Sequence, residues 1–375
     1  MTEERRVRVL WLIKGLDAGG AERLLVEHAV AGDRGRFEYE VAYLLPDKVH
    51  LVDDLEALGV PTHCLDVRTE ADARWLWRLG TLLREKRFDV VHAHSPVSAS
   101  IARVVIRGGF RSVDFVYTEH NRWQSYHPVT RLLNRTTYAL NNATLAVSDD
   151  VVESMTPSAR RRVEVLTHGI DLDRVRSHQG ERDAVREELG IGPDEVFVLT
   201  VANLRENKRY PDLLAAARRV IDTGAPVRFA AAGQGPLEVE IRAQHARLGL
   251  GDRFRMLGYR SDAQRLIAGA DVFALASSHE GLPVAVMEAF ALGVPVVATA
   301  AGGLAEAIHD GVNGLLAPPL DPDALAAALI RVLDPGLRAH LAVGATAAGA
   351  RYSAEFSVSR IEGIYREVGT GRRRR

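Results

Sequence analysis

Short apolar runs alternating with longer amphipathic segments, through almost the whole chain, constrain this sequence more than any other feature. In the first half VRVLWLI, YEVAYLL, FDVVHA, DFVYT, ATLAV and VEVL have strand length and β-branched or aromatic content; VFVLTV, VRFAAAG, RFRMLG, DVFALA and VPVVAT follow in the second. Between them AERLLVEHA, DARWLWRLGTLLREK, YPDLLAAARRVIDT and DALAAALIRVL carry apolar residues at helical spacing. Such alternation builds right-handed βαβ units and parallel sheets. Its recurrence after the polar interval from Leu172 to Gly190, which contains RSHQGERD, predicts two sheets. Ligands bind beyond the carboxyl ends of strands in such sheets, so a cleft between two of them is the expected site.

Composition narrows the classes. The 375 residues exceed one ordinary domain, and 47% hydrophobic content is enough for two cores. A net charge of −1 excludes a global nucleic-acid-binding signature. Of 48 basic residues only those at 14, 48, 86 and 208 are lysines, so a lysine within a motif is informative. The single cysteine, Cys64, excludes an intramolecular disulfide and fits a reducing compartment; its setting in THCLDV reads as a buried small apolar residue. The run Val9 to Ile13 ends at Lys14, too short for a signal peptide, and reads as a first strand. The uncharged stretch Ala289 to Ala305 contains Gly293, Pro295, Gly302 and Gly303, so helix end, turn, strand and loop are expected, not a membrane span.

Loops after strands carry the chemistry. In GLDAGGAER, Gly15, Gly19 and Gly20 lead into a helix and let backbone amides approach a phosphate. The spacing is not GxGxxG, and Ala21 and Glu22 stand where a P-loop needs Lys and Ser or Thr, so nicotinamide and ATPase readings lose support. In EGLPVAVME, Gly281 permits a tight turn and Pro283 suits the first position of a helix, whose N-terminus offers unpaired amides to an anion. Glu280 precedes that helix, and Glu288 sits on its second turn about 80° around the axis. Carboxylates flanking an anion site are suited to sugar and ribose hydroxyls. His92 and His94 in VVHAHSP and His120 in YTEHN follow strands; they offer no third ligand at metal spacing, so no metal site is expected.

In order along nearly the whole chain stand GGAER, VVHAHSP, TEHN, LAVSDDV, HGIDLDR, NLRENK, GQGPL, LGYRSD, SSHEGLPVAVMEAFALGVPVVAT, AGGLAEAI and DGVNGLL. The ordered set, with the paired glutamates in place, resembles the family 4 glycosyltransferases, retaining enzymes of the GT-B fold. The resemblance implies an α/β chain with two Rossmann-like doubly wound parallel-sheet domains facing across a cleft. Residues 1–178 would form the acceptor side, 179–354 would bind the nucleotide sugar, and 355–375 would pack a helix back on the first domain before a basic tail. It implies a sugar donor carrying UDP or GDP and no metal or other cofactor. The acceptor would be a glycan, glycolipid or lipid-linked sugar of the cell envelope, met in the cytoplasm or at the inner, anionic face of the membrane. Position by position, Glu288 would take the donor ribose and Glu280 the hydroxyls of the transferred sugar. Lys208 would hold the diphosphate together with Gly281, Leu282 and Pro283. His120 would contact the sugar near its anomeric centre, Gly19 and Gly20 would close on phosphate, and Tyr259 and Arg260 would lie beside the base.

One departure bears on the phosphate. Relatives commonly have Gly-Arg-Leu, three residues, then Lys-Gly, where this chain has Ala202, Asn203, Leu204 and then Lys208, Arg209. Arg205 replaces the cation missing at Asn203 if the chain stays extended, since alternate residues of a strand share a face; otherwise Lys208 and the helix dipole serve alone. On the acceptor side Arg103, Arg107, Arg111, Arg122, Arg131 and Arg135, with Trp123 and Tyr126, predict a basic, aromatic rim. Two other readings stay open at this level: a GT-B sugar-nucleotide epimerase, and a non-catalytic sugar-nucleotide-binding subunit.

Overall fold

The structure is a computed structural model that describes residues 5–17, 19–70 and 72–371. Two sheets, parallel throughout, organise it. The first contains β1 (Val7–Ile13), β2 (Phe37–Tyr43), β3 (Thr62–Cys64), β4 (Val90–Ala93), β5 (Asp114–Glu119), β6 (Ala143–Ala146) and β7 (Val163–Val165), in the order β3-β2-β1-β4-β5-β6-β7. The second contains β8 (Val196–Val201), β9 (Val227–Ala232), β10 (Phe254–Gly258), β11 (Val272–Leu275), β12 (Val296–Thr299) and β13 (Gly314–Ala317), in the order β10-β9-β8-β11-β12-β13. Both orders reverse beside their first strand. The crevices between β1 and β4, and between β8 and β11, are therefore the places where each sheet can receive a ligand.

Burial on both faces explains the apolar runs. Along β1, Leu10 and Leu12 join the cluster that holds Trp75, Leu79 and Leu83, whereas Val9, Trp11 and Ile13 pack with Leu25, Ile361 and Tyr365 on the other face. Along β8 the same alternation sends Val198 toward Leu213 and Leu214, and Phe197 and Leu199 toward Leu266 and Phe290. The helix Arg74–Lys86 turns Trp75, Leu79 and Leu83 into the core and leaves Trp77 exposed.

The chain divides into two units, residues 1–171 with 354–375, and residues 172–353. In the first, the helix Ala354–Gly371 packs on β1 and on the helix Gly20–Ala31, and Trp11 Nε1 donates to the Tyr365 hydroxyl at 3.2 Å. The second begins at Leu172, where the helix Leu172–Arg176 packs on the helix Val284–Ala291 and Arg174 donates to Gln264 Oε1 at 3.2 Å. The polar interval is helical: its Arg182 and Arg186 both pair with Asp271, at 2.5 and 2.9 Å. Cys64 is exposed, not buried, because it ends the edge strand β3. No helix among the described residues is long and apolar enough to cross a membrane. The basic tail Arg372–Arg375 lies outside the described residues.

Candidate active site

The crevice of the second sheet is built from three loops. After β8 the chain turns through Asn203 and Leu204 to Lys208, after β11 it runs from Ser277 to Pro283, and after β12 it passes Gly302 into the short helix Gly303–Ala307. The first two are tied by the Ser278 amide donating to the Asn207 carbonyl at 2.8 Å. Lys208 Nζ lies 2.5 Å from Glu280 Oε1, which also accepts from Ser277 Oγ at 2.6 Å. Both partners are largely shielded, with 13% and 10% of their side chains exposed. The third loop fits only because residue 303 is glycine: a Cβ there would stand 2.3 Å from the Gly281 carbonyl oxygen, and the Gly303 amide donates to the Glu280 carbonyl at 3.1 Å.

Pro283 is the residue before the helix Val284–Ala291, one place earlier than its sequence position indicated. The amides of Gly281, Leu282 and Val284 make no hydrogen bond among the described residues. This helix start therefore presents open donors and a positive dipole end beside the Lys208 ammonium. Glu288, on the second turn, is buried at 7% exposure and accepts from Gln264 Nε2 at 2.7 Å. Gln264 and Arg174 behind it were not foreseen; Gln264 aligns the carboxylate from the helix Ala263–Ala268, and Arg174 holds Gln264 from the helix Leu172–Arg176. Tyr259 is half exposed after Gly258, whereas Arg260 is committed to Asp262 at 2.7 Å and Glu188 at 2.9 Å, partners that hold its guanidinium firmly charged, while the hydrogen bond from Arg260 lowers the Asp262 pKa to about 2.

Comparison with known proteins identifies the arrangement. Residues 18–174 match the model described as Glycosyltransferase Family 4, and residues 181–346 the model described as Glycosyl transferases group 1. A D-inositol 3-phosphate glycosyltransferase of Saccharomonospora viridis is 30% identical over 309 residues, 75% of this chain and 70% of that protein. The chain belongs to the family 4 glycosyltransferases. The UDP-Gal:alpha-D-GlcNAc-diphosphoundecaprenol alpha-1,3-galactosyltransferase of Escherichia coli is 25% identical to this glycosyltransferase over 311 residues, 76% of each chain. Anabaena HepE, solved with UDP-glucose, superposes with a TM-score of 0.84 at 22% identity, covering 96% of this chain and 99% of its own. The fold is GT-B, with a Rossmann-like doubly wound sheet in each unit.

Where this glycosyltransferase departs from its family, the backbone gives reasons. Arg209 occupies the usual glycine position with φ 49°, ψ 43°, a left-handed conformation that costs an L-residue about 1–2 kcal/mol; its side chain is clamped bidentately on Asp212. The extended path from Asn203 to Arg205 does not persist, because the Arg205 amide folds back on the Asn203 carbonyl at 3.0 Å while Leu204 is buried between them. Strand alternation therefore does not align Arg205 with Asn203. Its guanidinium is exposed and has no partner among the described residues.

The other unit carries the histidines. His92 lies within β4, not in the loop, and is buried; His94 follows it, and His120 follows β5. Gly19 caps the helix Gly20–Ala31 with extended backbone. Among the described residues no His, Cys, Asp and Glu group has metal-holding geometry. The expected aromatic rim is largely interior. Glu119 is wholly buried and accepts from Tyr117 at 2.9 Å, Trp123 Nε1 at 2.7 Å, Asn134 at 2.9 Å and Tyr126, so Trp123 and Tyr126 point their polar ends inward. Burial lifts the Glu119 carboxyl above its ordinary value against these four donors. Arg103 is also buried, donating to Asn134 at 2.9 Å with its guanidinium 4.5 Å over the Tyr117 ring. Arg122 pairs with Asp150, which leaves Arg131 and Arg135 exposed on the helix Pro128–Thr137.

Proposed function

We propose that this glycosyltransferase moves a hexose from a uridine-diphosphate sugar to a glycan or lipid-linked acceptor of the cell envelope, with retention at the anomeric carbon. The observation that carries the reading is the grouping beyond β8 and β11 of one ammonium, open helix-start amides and two shielded carboxylates. Breaking the bond from the anomeric carbon to the donor phosphate leaves negative charge on the diphosphate. Lys208 and the amides of Gly281 and Leu282 stabilise that charge, and no reorganisation of solvent is needed. The acceptor oxygen bonds to the anomeric carbon on the face the phosphate leaves, and the departing phosphate takes the acceptor proton. No protein base, metal or other cofactor enters this scheme.

Glu288, aligned by Gln264, accepts the ribose hydroxyls, and Glu280 accepts those of the transferred sugar. Binding therefore exchanges the Lys208–Glu280 pair for two ligand contacts. His120, Gly19 and Gly20 keep the roles the family resemblance gives them, and, with Arg205 turned off the extended path, Lys208 and the helix dipole serve the diphosphate without a second cation. Of the two bases expected, uridine is favoured by relatives: HepE was solved with UDP and UDP-glucose, and the Escherichia coli enzyme is named for UDP-Gal and a diphosphoundecaprenol acceptor. The helix Pro128–Thr137 exposes Val129 and Leu132 beside Arg131 and Arg135, over an open groove of about 400 Å³, chemistry suited to the anionic inner face of a membrane. Thermal shift with UDP, GDP, ADP and nicotinamide dinucleotides tests the donor: stabilisation by UDP that disappears in Glu288→Ala supports the reading. Stabilisation by a nicotinamide dinucleotide alone rejects it.

A further inference from the structure

Three histidine rings of the first unit meet beyond β4, β5 and β7. His94 Nδ1 and His120 Nε2 are 3.2 Å apart, and the His168 ring stacks on His120 with centroids 5.6 Å apart and planes 10° apart. Behind them one order of donors satisfies every group. Trp11 donates to the Tyr365 hydroxyl, which pairs its own proton by donating to His92 Nδ1 at 2.6 Å, and His92 then donates its Nε2–H to Thr118 Oγ1 at 2.7 Å. The His92 ring lies 4.2 Å from that of His94 and so wedges it in place.

Burial depresses the basicity of His94, His120 and His168, which leaves all three neutral near pH 7. One ring must then donate across the His94–His120 contact. If His120 donates from Nε2, the His94 proton sits on its own Nε2, a buried atom with no hydrogen-bond partner among the described residues. A buried donor left unpaired costs roughly 1–3 kcal/mol. If His94 donates from Nδ1, its Nε2 is merely an unfilled acceptor, the milder defect. His120 then carries its proton on Nδ1, which makes no hydrogen bond among the described residues and belongs to a partly exposed ring.

We propose that His94 is a positioning residue that holds His120 in the Nδ1–H form, so that His120 meets its ligand as a hydrogen-bond donor and not as a base. The ligand atom it fits is an oxygen lone pair, on a sugar hydroxyl or on the oxygen joining sugar to phosphate. A neutral imidazole in this role polarises without surrendering its proton. The proposal rests on the reading that His120 touches the donor sugar, and it agrees with a transfer in which the leaving phosphate collects the acceptor proton.

Nitrogen NMR of the full chain carrying ring-labelled histidine tests it, with the His120 signals assigned by their loss in His120→Asn. The expected wild-type pattern is protonated Nδ1 and bare Nε2, and in His94→Leu the proton moves to Nε2. A wild-type His120 protonated at Nε2 overturns the proposal without any His94 variant having to fold. In kinetics His94→Leu is expected to lower kcat roughly 10²-fold with donor KM little changed. His94→Asn, whose amide can place an N–H where Nδ1 was, should recover to within about 10-fold of wild type. Equal loss in both variants also overturns the proposal. The tautomer is read without turnover, so full activity in His120→Ala would sink the sugar-contact reading separately.

Discussion

Lys208 and Glu280 neutralise each other across 2.5 Å where the loops after β8 and β11 meet. A shielded pair of this kind is costly to break from one side only, because the survivor keeps its charge. A bound diphosphate sugar relieves both partners at once, the phosphate taking the ammonium and the sugar hydroxyls taking the carboxylate. Lys208→Ala is therefore expected to lower kcat/KM by roughly 10²-fold or more, measured by transfer from a UDP-sugar. Near-normal turnover would remove Lys208 from the site.

The Gln264–Glu288 contact predicts a different kinetic signature. Ribose contacts form in the ground state, so Glu288→Ala should raise donor KM with kcat little changed, and Gln264→Ala should shift KM in the same direction by less. Isothermal titration with UDP reads the same order without acceptor. An unchanged KM in Glu288→Ala contradicts the assignment.

Gly303 is the point of closest approach between the third loop and the second. Gly303→Ala must displace the Gly281 carbonyl, since a Cβ would approach it to 2.3 Å. Overpacking of this kind costs about 1–3 kcal/mol, and here it also shifts the open amides. A lowered Tm together with lost UDP stabilisation is expected; a lowered Tm with UDP binding intact would place the anion elsewhere.

Acid should weaken the first unit. Burial drives the His28 pKa down to about 3 and that of His168 to about 4, and lowers His92, His94 and His120 well below 6.5. The unfolded chain takes up these protons near pH 6.5 and the folded one does not. Stability is therefore fully present above 6.5 and is lost as pH falls toward the folded values, roughly 3 kcal/mol from His168 alone by pH 4. Glu119 and Glu362, raised by burial, act in the opposite sense but are outnumbered. Urea unfolding at pH 7.5 and 5.5 should show the lower midpoint at 5.5; equal midpoints would mean that the rings are solvated.

The long strands and the motif residues could be read directly from the chain. β1 and β8 announce themselves because both of their faces are buried, and Glu280, Glu288 and Lys208 because their motifs are local. β3 and β13 were missed as edge strands of three and four residues, too short for a period to show, the latter opening on Gly314. Gln264 was invisible because it acts from a helix 24 residues before Glu288, and His168 because its ring meets His120 only after β5 and β7 are in place. Trp123, Tyr126 and Arg103 look like a rim in sequence. Trp123 and Tyr126 are drawn inward by Glu119, and Arg103 by Asn134 and the Tyr117 ring, interior partners that no local pattern reveals. Arg209 could not be recognised as strained until φ was known.

The helix Ala354–Gly371 closes the first unit from the far end of the chain, through contacts such as Trp11 with Tyr365, 354 residues apart. During synthesis β1 therefore waits, one flank of its apolar face bare, while a whole contiguous unit is made after it. The usual order of domain maturation is inverted, with the second unit able to finish first. Residues 354–371 must be made before the Tyr365–His92 hydrogen bond can form, so a chain cut before Ala354 lacks that support for its histidines.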